Sequence, residues 1–419
     1  MKLLNIKIVI YITVLFLSIP ATAQKTDTLL LEQLLRSNAH LFDTILKDPG
    51  KKEVQILYTR ITRDKKNKPS FAYYSYRLNP QRYFYPASTV KLPTAIFALE
   101  KINELGIAGL TKETAMLTDS AFPNQTSVIK DSSSKSGLPS IEHYIKKILL
   151  VSDNDAYNRV YEFVGRERIN QRLKAFGLKH SRINGRLAVG DKGASKRYTN
   201  PVRFTNNGQL LYQQPLQYDR LEYTIQLENT LQGHAYVDGK DSLVRQPFDF
   251  SDMNVYSLYD QQMILRRLLF PESFHKKQRF RLTSNDYNFL YRYMSMLPGE
   301  SKVPAYNLSE YYPAYGKFLY YGSDSNAVIN PSIRIFNKYG DSYGYIIDNA
   351  YIVDFDHNVE FLLSAVVQSN NDGVFNDDKY EYETVCKPFL KNLGRIIYEL
   401  ELTRQPTYVP NLSRFKLAY

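Results

Sequence analysis

Three short stretches of this chain hold residues whose types and spacing could carry out acyl transfer. The first is Tyr85-Pro86-Ala87-Ser88-Thr89-Val90-Lys91-Leu92-Pro93, followed by an apolar run from Thr94 to Leu105 and then Gly106. The pattern predicts a loop that delivers a serine onto the first turn of a long helix, with Gly106 as its stop. Ser88 and Lys91 are three apart, so on a helix they share a face. A helix start also offers free N–H groups and partial positive charge to a developing oxyanion. A serine so placed, with an amine one turn on, is a nucleophile beside a candidate base. The second stretch is Ser152-Asp153-Asn154 and the third is Lys338-Tyr339-Gly340.

Each stretch also has a plainer reading. Ser-x-x-Lys recurs at Ser132/Lys135 and Ser273/Lys276, in polar, turn-like surroundings where solvated loop residues suffice. Ser, Asp and Asn all suit a helix N-cap, which would account for 152–154 without chemistry. Ser-Asp-Asn nevertheless occurs once only, against about 0.1 occurrence expected by chance from average composition. Lys-x-Gly at the end of a strand reads as a turn. What gives the three weight is their order along one chain.

The elements needed to hold them can be read around them. Apolar spacing predicts a helix over Leu29–Leu46, ended by Pro49-Gly50. Strands are expected at Val54–Thr62 and Ser70–Leu78, joined by a turn at 64–68. Helices are expected over 141–150, 156–164 and 169–176, the last two stopped by Gly165 and Gly177. From about 188 to 250 the chain changes to Tyr, Asn, Gln and Gly with short alternating runs, Arg203–Tyr212 and Tyr223–Leu227, that suggest hairpins. Helical spacing returns at 257–269 and 284–296. Strands are expected at 334–337, 345–354 and 360–368, with Lys338-Tyr339-Gly340 between the first two. A helix over about 382–401 closes the chain.

Residues 1–23 read as a secretory signal peptide. Lys2 and Lys7 precede an apolar run, Ile8–Leu17, and Ala21-Thr22-Ala23 forms a cleavage site before Gln24. The apolar run is shorter than a membrane anchor needs. The expected product is secreted or periplasmic, with 24–419 as one domain carrying an insertion at about 188–250. Cys386 is the only cysteine, so no internal disulfide can form. The six histidines are scattered without ligand spacing, and no metal or cofactor is expected. The net charge of +12, lowered by two when Lys2 and Lys7 leave, reads as a solvated surface; no nucleic-acid motif is present.

Ser88-x-x-Lys91, Ser152-Asp153-Asn154 and Lys338-Tyr339-Gly340, in that order, resemble the signature of the class A β-lactamases and penicillin-binding D-alanyl-D-alanine peptidases. Asp341-Ser342-Tyr343-Gly344 before a hydrophobic strand also looks like the stretch after the third box in that family. The resemblance implies an α+β fold: an antiparallel sheet flanked by helices beside an all-helical lobe, with the site in the cleft between. It implies that Ser88 becomes acylated, that Lys91 is the base candidate and that Ser152 relays a proton to the leaving nitrogen. It gives Asn154 the substrate's amide side chain, Lys338 the substrate carboxylate, and the backbone N–H groups of Ser88 and Asp341 the oxyanion, with Gly340 completing the box. The partner is then a small-molecule β-lactam or a cell-wall peptide. The first expectation is hydrolysis of β-lactam or related amide bonds. Alternatives are a D-alanyl peptidase or esterase on the same scaffold, or a penicillin-recognising protein without catalysis.

The chain departs from that family twice. Tyr339 stands where relatives carry Thr or Ser. The Glu-x-x-Leu-Asn segment that activates the deacylating water in class A β-lactamases is missing: alignment through Phe176-Gly177 puts Arg186-Leu187-Ala188 there. Asp191 is the nearest carboxylate.

Overall fold

The computed structural model describes residues 26–419 except Asn124 and Lys192. The expected signal peptide, 1–23, lies outside the described residues. The first helix expected from the sequence is two: α1, Leu29–Ser37, and α2, Ala39–Leu46. Asn38 separates them, with its side-chain amide donating to Leu34 O at 2.9 Å. That bond competes with the helical pattern and turns the chain.

A five-stranded antiparallel sheet is built from strands at both ends of the chain. β1 (Gln55–Arg63) and β2 (Pro69–Tyr76) form a hairpin; β3 (Ile333–Ser342), β4 (Tyr345–Asp354) and β5 (Val359–Gln368) form a meander. The order is β3-β4-β5-β1-β2, with Gln55 opposite Val366 where the two parts join. Side chains alternate between faces along each strand. In β5, Phe361, Leu363, Ala365 and Val367 enter one core with α1, α2 and the C-terminal helix (Lys387–Leu402), while Leu362 and Val366 enter another. Both faces are therefore buried.

That double burial explains one correction. Lys338-Tyr339-Gly340 does not stand at a turn between strands but inside β3, where Lys338 pairs with Asn349. The turn comes later, at Tyr343 and Gly344, both at positive φ. A strand covered on both sides lacks the polar alternation by which its full length could be read.

The second core holds the helical lobe. α3 (Lys91–Leu105) is buried nearly all round and ends at Gly106 in the left-handed conformation, as the sequence predicts. Each fully buried Leu, Ile or Phe side chain on it contributes about 1.5–3 kcal/mol relative to exposure. Around it pack α4 (Ile141–Val151), α5 (Asn154–Val164), α6 (Arg166–Ala175), α7 (Leu258–Leu269) and α8 (Ser284–Ser295). Of the 188–250 stretch, strands 202–206 and 209–214 extend a small sheet begun by 115–118, and Val202 and Phe204 are wholly buried. Tyr223–Leu227 forms no strand; Ile225 and Leu227 pack instead on an aromatic cluster with Tyr83, Phe250 and Phe375.

The C-terminal helix presses on the 318–321 segment so closely that a Cβ at Gly394 would come within 2.2 Å of Tyr320 N. Gly394→Ala should therefore destabilise by about 1–3 kcal/mol, although alanine has the better helix propensity. Urea unfolding checks this, and unchanged or raised stability contradicts it.

Candidate active site

Ser88 lies on a 3-10 turn, Ala87–Val90, that runs straight into α3. The turn is fixed by Pro86 O, which accepts from Thr89 N at 3.1 Å and Thr89 Oγ1 at 2.6 Å. Ala87, just before the serine, is held at φ 46°, a left-handed conformation that costs a residue with a side chain. Pro93 falls in the first turn of α3, where a missing N–H leaves no helical bond unmade.

The N-cap reading of Ser152-Asp153-Asn154 holds at its middle residue. Asp153 caps α5, its Oδ1 accepting from Ala156 N at 2.8 Å. Ser152 ends α4 at φ 61°. The cap makes the sharp bend, and the bend aims its two neighbours at Lys91. The Lys91 ammonium donates to Ser152 O, to Ser152 Oγ at 3.2 Å and to Asn154 Oδ1 at 2.7 Å. Lys91 is fully buried, and the loss of water lowers its pKa to about 7, with Asp153 and Asp341 pulling the other way. Ser88 Oγ has no hydrogen bond to the described residues.

Lys338 closes the arrangement. Its ammonium donates to Ser152 Oγ at 2.8 Å and to Tyr339 O at 2.8 Å. Burial, and next the charge of Lys91, hold its pKa well below the ordinary lysine value. Ser152 Oγ thus sits between two buried amines. Two residues on, a Cβ at Gly340 would lie 2.6 Å from Ser88 N and 3.0 Å from Thr89 N. Only glycine lets β3 approach the serine turn this closely. Asp341 is next, exposed at the strand's end. The seven residues singled out from the sequence therefore meet in one place.

Tyr339 is buried. Its ring fills the space that Gly316 leaves open, lies edge-on to Phe318 at 5.2 Å, and has the Lys338 ammonium 4.2 Å from its centre. Tyr157 is a neighbour that the motif reading missed. Its ring stands 6.0 Å from Lys91 Nζ and its hydroxyl donates to Gly185 O at 3.2 Å. Its place three residues after Asn154, on the same face of α5, is the signal that could have found it.

Where that glutamate is expected, the described residues offer no free carboxylate. Asn158 grips the backbone of Leu187 on both sides, at 2.9 Å to its N–H and 2.9 Å to its carbonyl, and the leucine side chain is buried. Asp191 is engaged by Arg186 in two bonds of 2.7 and 2.5 Å. Arg186 also donates to Glu162 at 2.8 Å, whose pKa burial raises to about 7. Among the described residues, no three His, Cys, Asp or Glu side chains converge to hold a metal, and no helix is long and apolar enough to cross a membrane.

Residues 42–227 match the beta-lactamase enzyme family. The matched segment carries Ser88, Lys91, Ser152 and Asn154, while Lys338 lies beyond it. No curated protein matches the chain. Solved structures that resemble it include a β-lactamase from Sphaerobacter thermophilus, at 11% identity over 90% of this chain and 98% of that one, with a TM-score of 0.45. Another is a β-lactamase from Chitinophaga pinensis, at 11% identity over 88% of this chain and 99% of that one, TM-score 0.47. A third is an acyl-enzyme complex of a PBP-A mutant with penicillin G, at 12% identity over 90% and 97%, TM-score 0.46.

Two outcomes are expected of this geometry. Gly340→Ala should fold but displace the Ser88 turn, slowing labelling by a fluorescent penicillin about 10²-fold; an unchanged rate contradicts it. A base must be neutral to accept a proton, so a lysine titrating near 7 should give a labelling rate that rises with pH through about 7 and levels off above. A profile flat on both sides of that value contradicts it.

Proposed function

We propose that this protein is an exported serine hydrolase of the β-lactamase type that forms an acyl-enzyme on Ser88. The observation that carries the reading is the chain of contacts from Lys91 through Ser152 to Lys338, laid against the Ser88 turn by Gly340. Ser88 Oγ attacks an amide carbonyl and its proton passes to Lys91 Nζ. The C–N bond breaks, and the departing nitrogen takes that proton by way of Ser152. Water then cleaves the ester, releasing the acid and restoring the serine. Lys338 attracts the substrate carboxylate, Asn154 its amide side chain, and the N–H groups of Ser88 and Asp341 the oxyanion. The domain is 24–419 after removal of 1–23, and 188–250 is an insertion at the cleft rim.

A second reading, a D-alanyl peptidase on the same scaffold, is favoured by one observation. The nearest aspartate to Arg186-Leu187-Ala188, the region where a deacylating glutamate is expected, is Asp191, and it is bound to Arg186. β-Lactams should then acylate the enzyme readily and leave slowly. Missing one positioned general base costs about 10²–10⁴ in rate. Kinetics with a chromogenic cephalosporin should show a burst of about one product per enzyme and then a slow phase. Mass spectrometry should find the adduct on the Ser88 peptide, and Ser88→Ala should abolish it. An adduct that persists in Ser88→Ala contradicts the assignment; fast turnover without a burst contradicts the slow step. A D-alanyl-D-alanine peptide assayed in parallel separates the two readings.

A further inference from the structure

A polar cavity of about 180 Å³ lies between Tyr85, three residues before Ser88, and Tyr343, three after Gly340. It is also lined by Asn184, Arg186 and Asp191, and by Asp252 and Asn254, which follow the 188–250 stretch. It borders the reactive groups through Gly185, the partner of the Tyr157 hydroxyl, whose ring faces Lys91. A cavity well under the ~300 Å³ lower bound for a drug-sized ligand holds one ring or residue.

The walls are preorganised. Tyr85 and Tyr343 meet edge to face at 4.8 Å, and Phe250 backs both, at 6.1 and 5.3 Å. Asn254 Oδ1 accepts from Asn184 N at 2.7 Å and Gly185 N at 3.1 Å, fixing that part of the lining. The charges are matched internally: Arg186 with Asp191, and Lys196 with Asp252 at the rim. Neither tyrosine hydroxyl bonds to a described residue, and the Asn184 and Asn254 amides reach only weak partners, at 3.5 and 3.4 Å. Aromatic faces beside hydroxyl and amide donors, with the charges of the described lining residues paired, select an uncharged polar group with a flat face.

We propose that this cavity is a substrate subsite that takes one uncharged, hydroxyl- or amide-bearing unit stacked on Tyr85 and Tyr343. It rests on Ser88 being the nucleophile. Two sources share that chemistry, an N-acylated sugar unit and an amide-bearing peptide residue. The test compares acyl donors with the same scissile bond, one bare, one carrying an N-acetylated sugar, one carrying a glutamine residue. Wild type should prefer one extended donor over the bare one by about tenfold in kcat/KM, and which one it prefers identifies the source. Tyr343→Ala should abolish that preference while leaving the bare donor and penicillin labelling unchanged; Tyr343→Phe, which keeps the ring, should retain most of it. Equal rates on all three donors in wild type overturn the subsite, as does a preference that survives Tyr343→Ala. Should Tyr343→Ala fail to fold, Tyr85→Ala, which removes the other stacking face, should abolish the preference in its place, and a preference that survives it overturns the subsite. Loss of penicillin labelling from wild type would strike instead at Ser88.

Discussion

At Lys91, two opposed demands meet on one nitrogen. Removing the amine from water favours the neutral form, which a base requires. Three acceptors, two from Ser152 and one from Asn154, favour the ammonium and hold it in place. Neither demand wins outright, so the group titrates near neutrality. Much of the surrounding architecture serves this balance. α3 must be buried on every side, and α4 and α5 must break where they do. β3 must bring a second amine to the same serine hydroxyl without bringing a carboxylate as close.

The first two boxes were legible because each is local. Ser88 and Lys91 lie one turn apart, and the Asp153 cap that bends the chain is itself part of its motif. Lys338 and Gly340 are marked by their order along the chain, but their setting inside a strand is not. The strand around them is covered on both faces, so its length left no period-two mark. Asn38 shows the reverse case: apolar spacing carried through it on one face, while its side chain broke the backbone. Tyr85 and Tyr343 could not have been paired from sequence, since their contact depends on the closure of β3 against the serine turn and on Phe250 behind them.

The 188–250 stretch is polar and turn-rich, a character that suggests hairpins, and strands 202–206 and 209–214 form one that extends the sheet begun by 115–118, with Phe204 in the lobe's core. Farther along, 231–232 pairs with 248–249, and 235–237 with 374–375 near the other end of the chain. The stretch thus ties the helical lobe to the segment that follows β5.

The pairing of β1 with β5 sets an order on how the molecule comes into being. Gln55 finds its partner only at Val366, so the central sheet stays open until nearly the whole polypeptide has been made. Loop closure over that span is slow compared with the formation of the helices between. Lys338 belongs to the same late meander. A chain stopped before residue 359 would hold the serine, the first lysine and the Ser152 hinge, but no sheet to press against them. The three boxes therefore come together last, when the C-terminal strands close against the serine turn.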